Sequence, residues 1–163
     1  YGAKSSMWAE HLTMLINNYN IKTVLDYGCG KGSLSFSLKD ICKEFQNYDT
    51  CVPEFNNRPH PAELVICTDV MEHIEPENLD EVLYDLKELT LNYIFINVCV
   101  VPAIKTLPDG RNTHINLHPK HWWVRKLINY FDILELSVFS RDTKGEENKR
   151  VFSGFCMTGQ PLV

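Results

Sequence analysis

No apolar stretch in these 163 residues approaches the roughly 20 that a bilayer span needs. No basic-then-apolar leader precedes Trp8 either, so neither a membrane nor an export segment is expected, and a cytoplasmic location is. The start at Tyr1 instead of Met implies further residues upstream. Positive charge is scarce: 16 Lys and Arg against 21 Asp and Glu leave a formal charge of −5. No Lys/Arg stripe interrupts that balance. A protein holding duplex nucleic acid through its phosphates depends on clustered cations, so that partner is disfavoured, and RNA less strongly so. The six cysteines, Cys29, Cys42, Cys51, Cys67, Cys99 and Cys156, show no CxxC spacing, and the expectation is reduced thiols, some in the core. Internal repeats and low-complexity tracts are also missing.

What the chain does have is apolar material for one core. With 44% hydrophobic and 23% charged residues it reads as a single globular domain over residues 1–163. Trp8, Leu12, Leu15, Ile16 and Tyr19 recur at helical spacing and predict a helix over 7–19. TVLDYG (23–28) is a buried strand. The following segment, 32–45, predicts a helix with Ser33 as N-cap and Leu34, Leu38, Ile41 and Phe45 on one face, and QNYD (46–49) a minimal second strand. LVICTDV (64–70) is another buried strand. Pro76 then opens a helix that stacks Leu79, Val82, Leu83, Leu86 and Leu89, followed by a strand over 91–101. The polar segment 102–121 has no core pattern, and a loop of that length is usually functional. A short helix around Trp122, Trp123 and Leu127 leads to two antiparallel strands on either side of DTKGEENK. Strands alternating with helices predict an open α/β sheet, mostly parallel, with ligands at the carboxyl ends of its strands.

Gly28, Gly30 and Gly32 follow the first strand directly, in VLDYGCGKGSL. Glycines there allow a tight turn and a close approach of backbone to ligand, and the ligand is either a pyrophosphate or a smaller zwitterion carrying a cation. Charge placement separates the two. Asp26 lies two residues before Gly28, where a carboxylate would repel a pyrophosphate and attract a cation. Asp49 ends the second strand 19 residues after Gly30, a position suited to ribose hydroxyls with either ligand.

VLDYGCGKG, YDTCVPEF, AELVICTDVMEHIEPENLDEV and LPDGRNTHINLHPKHWW together resemble the class I S-adenosylmethionine-dependent methyltransferases, closest to short ones often encoded by tailed bacteriophages. The likeness runs from about Tyr1 to Phe131. It implies a Rossmann-like sheet with an antiparallel terminal strand, S-adenosylmethionine as cofactor, and, for a phage protein, the host cytoplasm as location. It also implies that Asp26, Gly28 and Gly30 hold the aminoacyl end of the cofactor and Asp49 the ribose, with Tyr27, Cys29, Thr50 and Val70 bordering it and Asp69 beside the sulfonium. One departure stands out: only 14 residues separate Asp49 from Leu64, too few for the family's second helix, third strand and third helix. An abbreviated sheet of six strands is therefore expected. Val52, Pro53 and Phe55 are candidates for packing on the adenine, within a stretch that is otherwise a connector.

Methyl transfer from a sulfonium needs the acceptor held in line and relieved of a proton. His73, four residues after Asp69, is either the general base or a residue orienting the loop. The long loop adds His114, His118 and His121 with Asp109, Arg111 and Asn112. They are solvated side chains, or parts of a lid from which His114 reaches inward. No metal is assigned. Asp69, Glu72 and His73 do reproduce the spacing of the metal site in small-RNA terminal-ribose methyltransferases, with His114 in place of their later histidine, and the same Glu-His pair occurs in metal-free relatives. The acceptor is expected to be a small molecule, or a sugar or nucleotide group, methylated at oxygen or nitrogen. Metal-assisted ribose methylation and a catalytically silent cofactor-binding module that docks a partner are the alternatives. Oligomeric state is not legible.

Overall fold

Three apolar runs form the middle of the sheet because each has residues to bury on two faces. The computed structural model describes residues 8–142 and 151–162. In chain order it places α1 (Ala9–Asn18), β1 (Thr23–Tyr27), α2 (Ser35–Leu38), β2 (Glu44–Tyr48), β3 (Ala62–Thr68), α3 (Leu79–Leu89), β4 (Thr90–Cys99), α4 (Lys120–Leu127), β5 (Phe131–Asp142) and β6 (Val151–Pro161). The six strands join in the order β2-β1-β3-β4-β6-β5. The pairs β1–β2, β1–β3 and β3–β4 are parallel, and β6 runs antiparallel to both β4 and β5. This is the abbreviated Rossmann-like sheet expected from the sequence.

Successive strand residues point to opposite faces, so one continuous run feeds two cores. Leu25, Val65, Ile94 and Ile96 meet Leu79, Leu83, Leu86, Leu89, Trp123 and Leu127 from α3 and α4. Their sequence neighbours Val24, Leu64, Ile66 and Phe95 meet Leu12, Leu15 and Ile16 of α1 and Leu34 and Leu38 around α2 on the other side. The register Val24↔Leu64 and Ile66↔Phe95 ties these faces together, since a slip of one residue would exchange them. No helix among the described residues is long and apolar enough to cross a membrane.

The helix expected over 32–45 is the principal correction. Only Ser35–Leu38 is helical, and the residue at its N-cap is Leu34 instead of the expected Ser33. Ile41 is 37% exposed, and Phe45 belongs to β2. The cause is tertiary: the N–H groups of Lys43 and Glu44 donate to Lys22 O at 2.8 and 3.0 Å, starting the pairing of β2 with β1 two residues earlier than the apolar spacing suggests. The bond of a parallel ladder outweighs a weak helical periodicity. Most of DTKGEENK, and the first residue of the expected N-terminal helix, lie outside the described residues.

Among the described residues β2 is the outermost strand on its side of the sheet. The chain returns beside it: the Gln46 amide donates to His60 O at 3.2 Å and accepts from His60 N–H at 3.0 Å. The connector's His60 is thus held beside β2 by the Gln46 side chain.

Truncating the α3 face tests this packing. Leu83→Ala, at a fully buried position, is expected to lower stability by roughly 2–5 kcal/mol in urea denaturation. Tyr84→Ala, one residue along and 59% exposed, should fall within about 0.5 kcal/mol of wild type. Equal losses would contradict the layer assignment.

Candidate functional site

The polar residues singled out by the sequence gather where the parallel strands end. Gly28 follows β1 with φ +78°, and a Cβ there would lie 2.3 Å from Val70 Cγ2, so only glycine lets the two loops meet this closely. Gly30 and Gly32 also have positive φ. Asp49 braces this turn through Oδ2, accepting from Gly30 N–H at 2.9 Å, while its Oδ1 accepts from Cys51 N–H at 2.8 Å in its own segment. That bracing role was not foreseen. A carboxylate has about four acceptor positions, so capacity for a hydroxyl remains.

Asp26 is 2% exposed, and its Oδ2 has no hydrogen-bond partner among the described residues. Burial, then repulsion from Asp49, pushes its carboxyl up to about 7. Such an acid holds a proton or awaits a positive group. Tyr27 turns its hydroxyl away to Asp85 at 3.0 Å and packs edge-on against Tyr48, so it borders the turn through its backbone. Cys29 is buried, with its thiol pushed up to about 12 by burial and by Asp26 and Asp49, and is therefore unreactive. Thr50 is exposed beyond Asp49. Phe55 packs near Gly32, 3.3 Å from the position a Cβ would take.

Asp69 leaves β3 in a left-handed conformation, φ +54°, its N–H donating to Asn97 O at 3.2 Å. A non-glycine residue held there marks a constrained turn. Glu72 is wholly buried in the turn that follows, Oε1 accepting from Cys99 N–H at 3.0 Å. Burial, then Asp69, pushes its carboxyl up to about 8. His73 Nδ1 lies 2.7 Å from Thr113 O, and His114 Nδ1 2.6 Å from Val101 O. A carbonyl can only accept, so both Nδ1 atoms carry hydrogen and both Nε2 atoms carry the lone pair. The two rings meet edge to face at 4.8 Å. Burial lowers the His73 pKa, against the Thr113 bond, which acts to raise it; nearby His114 lowers it further.

The long loop is stitched down and not open. Arg111 bonds both oxygens of Glu75 at 2.9 and 3.0 Å and Asp109 at 2.8 Å. Asn112 exchanges bonds with Ala103 at 2.9 and 2.8 Å, and Asn116 N–H donates to Glu72 O at 3.0 Å. Of its three histidines only His114 joins His73; His118 stacks on Trp122 at 3.6 Å, and His121 is exposed. The sequence reading missed Cys99 and Asn116 as parts of this site. Cys99 ends a parallel strand beside β3, a signal that was available; Asn116 carried none.

No protein-family model matches the sequence, and no curated protein does. Solved structures match the fold. TehB from Haemophilus influenzae aligns at TM-score 0.68 and 14% identity over 94% of this chain, which spans 62% of that protein's length. The 1,6-didemethyltoxoflavin-N1-methyltransferase of Burkholderia thailandensis, with bound 1,6-didemethyltoxoflavin and S-adenosylhomocysteine, aligns at 0.70 and 15% over 99% of this chain and 80% of its own. Magnesium protoporphyrin IX methyltransferase from Synechocystis, with S-adenosylhomocysteine, aligns at 0.64 and 19% over 96% and 82%.

Two outcomes follow for the site. Gly28→Ala is expected to cost at least about 1–2 kcal/mol for its left-handed backbone, plus the clash with Val70. In thermal denaturation Gly28→Ala/Val70→Ala should recover the clash portion only, and full recovery or none would contradict the contact. Asp26 is raised in the folded chain, so between the ordinary carboxylate value of 3.8 and about 7 the fold keeps a proton that the unfolded chain loses. Stability contributed by that proton is complete below the lower value and lost as pH rises through the upper. Asp26→Asn should therefore be more stable than wild type at pH 8 and less different at pH 4, whereas parallel profiles would contradict the shift.

Proposed function

We propose that the whole chain is one S-adenosylmethionine-dependent methyltransferase domain that alkylates an oxygen or nitrogen of a small-molecule, sugar or nucleotide acceptor. The observation that carries this reading is the buried, incompletely satisfied carboxyl of Asp26 beside the glycine turn. A cationic ligand supplies the missing charge there, and a pyrophosphate would add repulsion. The close Gly28–Val70 approach brings the glycine turn against the loop that follows β3, so the ends of both strands face one place. The S-adenosylhomocysteine held by two of the matched folds supports the same choice, and the bound toxoflavin precursor in one of them supports a small-molecule acceptor.

When bound, the cofactor supplies a methyl group activated on a positive sulfur. Asp26, Gly28 and Gly30 would hold its aminoacyl end and Asp49 its ribose, with Tyr27, Cys29, Thr50, Asp69 and Val70 bordering it. His73 takes the acceptor's proton on Nε2, since its Nδ1 is committed to the Thr113 carbonyl. His114 fixes the ring edge beside it. Positioning alone supplies on the order of 7–11 kcal/mol in well-aligned systems, and a general base about 10²–10⁴-fold more.

The likeness to short bacteriophage enzymes rests on the quoted sequence blocks; none of the matched structures described above comes from a phage. The silent docking module draws on the open β2 edge, beside which the Gln46 side chain holds His60. Metal-assisted ribose methylation needs Asp69, Glu72, His73 and His114 on one ion. Among the described residues, the clustered ligand atoms include neither Asp69 nor His73.

Transfer of labelled methyl from S-adenosylmethionine into a small-molecule extract tests the reading. Wild type is expected to turn over, with an acid limb below the ordinary imidazole value of 6.5 because the His73 pKa is lowered. His73→Ala should lose about 10²–10⁴-fold together with that limb. Cofactor binding with no transfer to any acceptor pool would favour the docking module instead.

A further inference from the structure

We propose that Glu72, Cys99 and His114 form a binding site for one divalent ion of the zinc type. A carboxylate oxygen of Glu72, the sulfur of Cys99 and a ring nitrogen of His114 all lie within 4.8 Å of one another. Glu72 is fully buried, and its Oε2 has no hydrogen-bond partner among the described residues. The ion pairs there join Arg58 to Asp85, Arg111 to Glu75 and Asp109, and Lys126 to Asp80, so none neutralises Glu72. A buried carboxylate without a counter-charge is costly, and a polar oxygen left over in such a place points to something it receives.

Charge accounting favours a divalent ion. One carboxylate and one thiolate carry two negative charges, which such an ion cancels, leaving a neutral buried cluster. Binding releases the Cys99 thiol proton to solvent, and the Glu72 proton where it is present. The donors are one sulfur, one imidazole nitrogen and one oxygen, a set that suits zinc or cobalt and not magnesium or calcium, which take oxygen throughout. Three protein ligands leave the fourth tetrahedral position for water or another ligand.

The supports are those of a built site. Glu72, in the turn after β3, and Cys99, at the end of the adjacent parallel strand β4, are joined by the 3.0 Å bond from Cys99 N–H to Glu72 Oε1. Val101 O receives His114 Nδ1–H at 2.6 Å, fixing the ring and its tautomer, which is how metal-bound imidazoles are commonly oriented. Ligand atoms on tetrahedral zinc are separated by roughly 3.5 Å, so closure takes a side-chain adjustment of about 1 Å. This set is not the acid-x-x-Glu-His pattern of the sequence: Cys99 enters, and Asp69 and His73 stay outside.

The inference goes beyond the methyl-transfer reading and stands independently of it. The untagged protein, stripped with a chelator, is titrated with Co²⁺ while absorbance is followed, and Zn²⁺ is then added to displace it. The expected result is one equivalent of Co²⁺ with tetrahedral visible bands and a sulfur-to-cobalt charge-transfer band. Cys99→Ser should lose that band, and Glu72→Gln should keep it with affinity weakened at least about ten-fold. Cys99→Ala, checked by circular dichroism, serves if the serine variant fails to fold. Absence of stoichiometric binding by wild type, or a charge-transfer band that survives in both folded Cys99 variants, would overturn the site. S-adenosylhomocysteine is titrated into the same samples: if it binds and Co²⁺ does not, the metal inference alone falls, and if Co²⁺ binds and it does not, only the methyltransferase reading falls.

Discussion

The site depends on one electrostatic constraint, the placement of Asp26 at the buried end of the first strand. The strand continues the apolar run that holds the sheet together, and a carboxyl at its last-but-one position is carried into the interior by its neighbours Val24 and Leu25. Burial raises its affinity for a proton, and Asp49 across the turn raises it further. The same carboxylate of Asp49 holds the glycine turn in shape through Gly30 N–H. Fold and site are thus coupled: the acid that closes the turn also charges the pocket, and the molecule keeps both negative groups only where a ligand or a proton relieves them.

A second acidic centre repeats this arrangement one strand over. Glu72 is buried behind the left-handed turn at Asp69, and the loop over 102–119 is folded onto that turn through Asn116 N–H to Glu72 O and Thr113 O to His73. The result places two imidazoles with matching tautomers edge to face beside a buried carboxyl. For the proposed methyl transfer, which asks little of side chains beyond alignment and proton removal, one neutral histidine with a fixed Nε2 would suffice.

Much of the fold was legible. The apolar runs around Leu25, Val65 and Ile94 announce strands buried on both faces, and Pro76 followed by Leu79, Leu83, Leu86 and Leu89 announces α3. The short interval between Asp49 and Leu64 foretold the six-strand sheet, because chain length limits what can be built there. The helix over 32–45 was misread for a physical reason. Leu34, Leu38, Ile41 and Phe45 do fall at helical spacing, but pairing of Glu44–Tyr48 with β1 is a long-range event that local periodicity does not encode. In the site, Asp26, Gly28, Asp69, His73 and His114 announced themselves by position after strands or in an unpatterned loop. Cys99 reads as one more apolar residue until the register sets it beside Glu72, and Asn116 becomes meaningful only through the loop's own hydrogen bonds.

The central claim concerns the sign of charge that the first-strand acid receives, and calorimetry at pH 6 measures it directly. Wild type and Asp26→Asn are titrated with S-adenosylmethionine, S-adenosylhomocysteine and NAD in buffers of different ionisation heat. The account predicts that wild type binds the first two with release of about one proton, because Asp26 ionises against a positive group, and that Asp26→Asn binds more weakly with no such release. Heat with NAD and none with either sulfur ligand would contradict it.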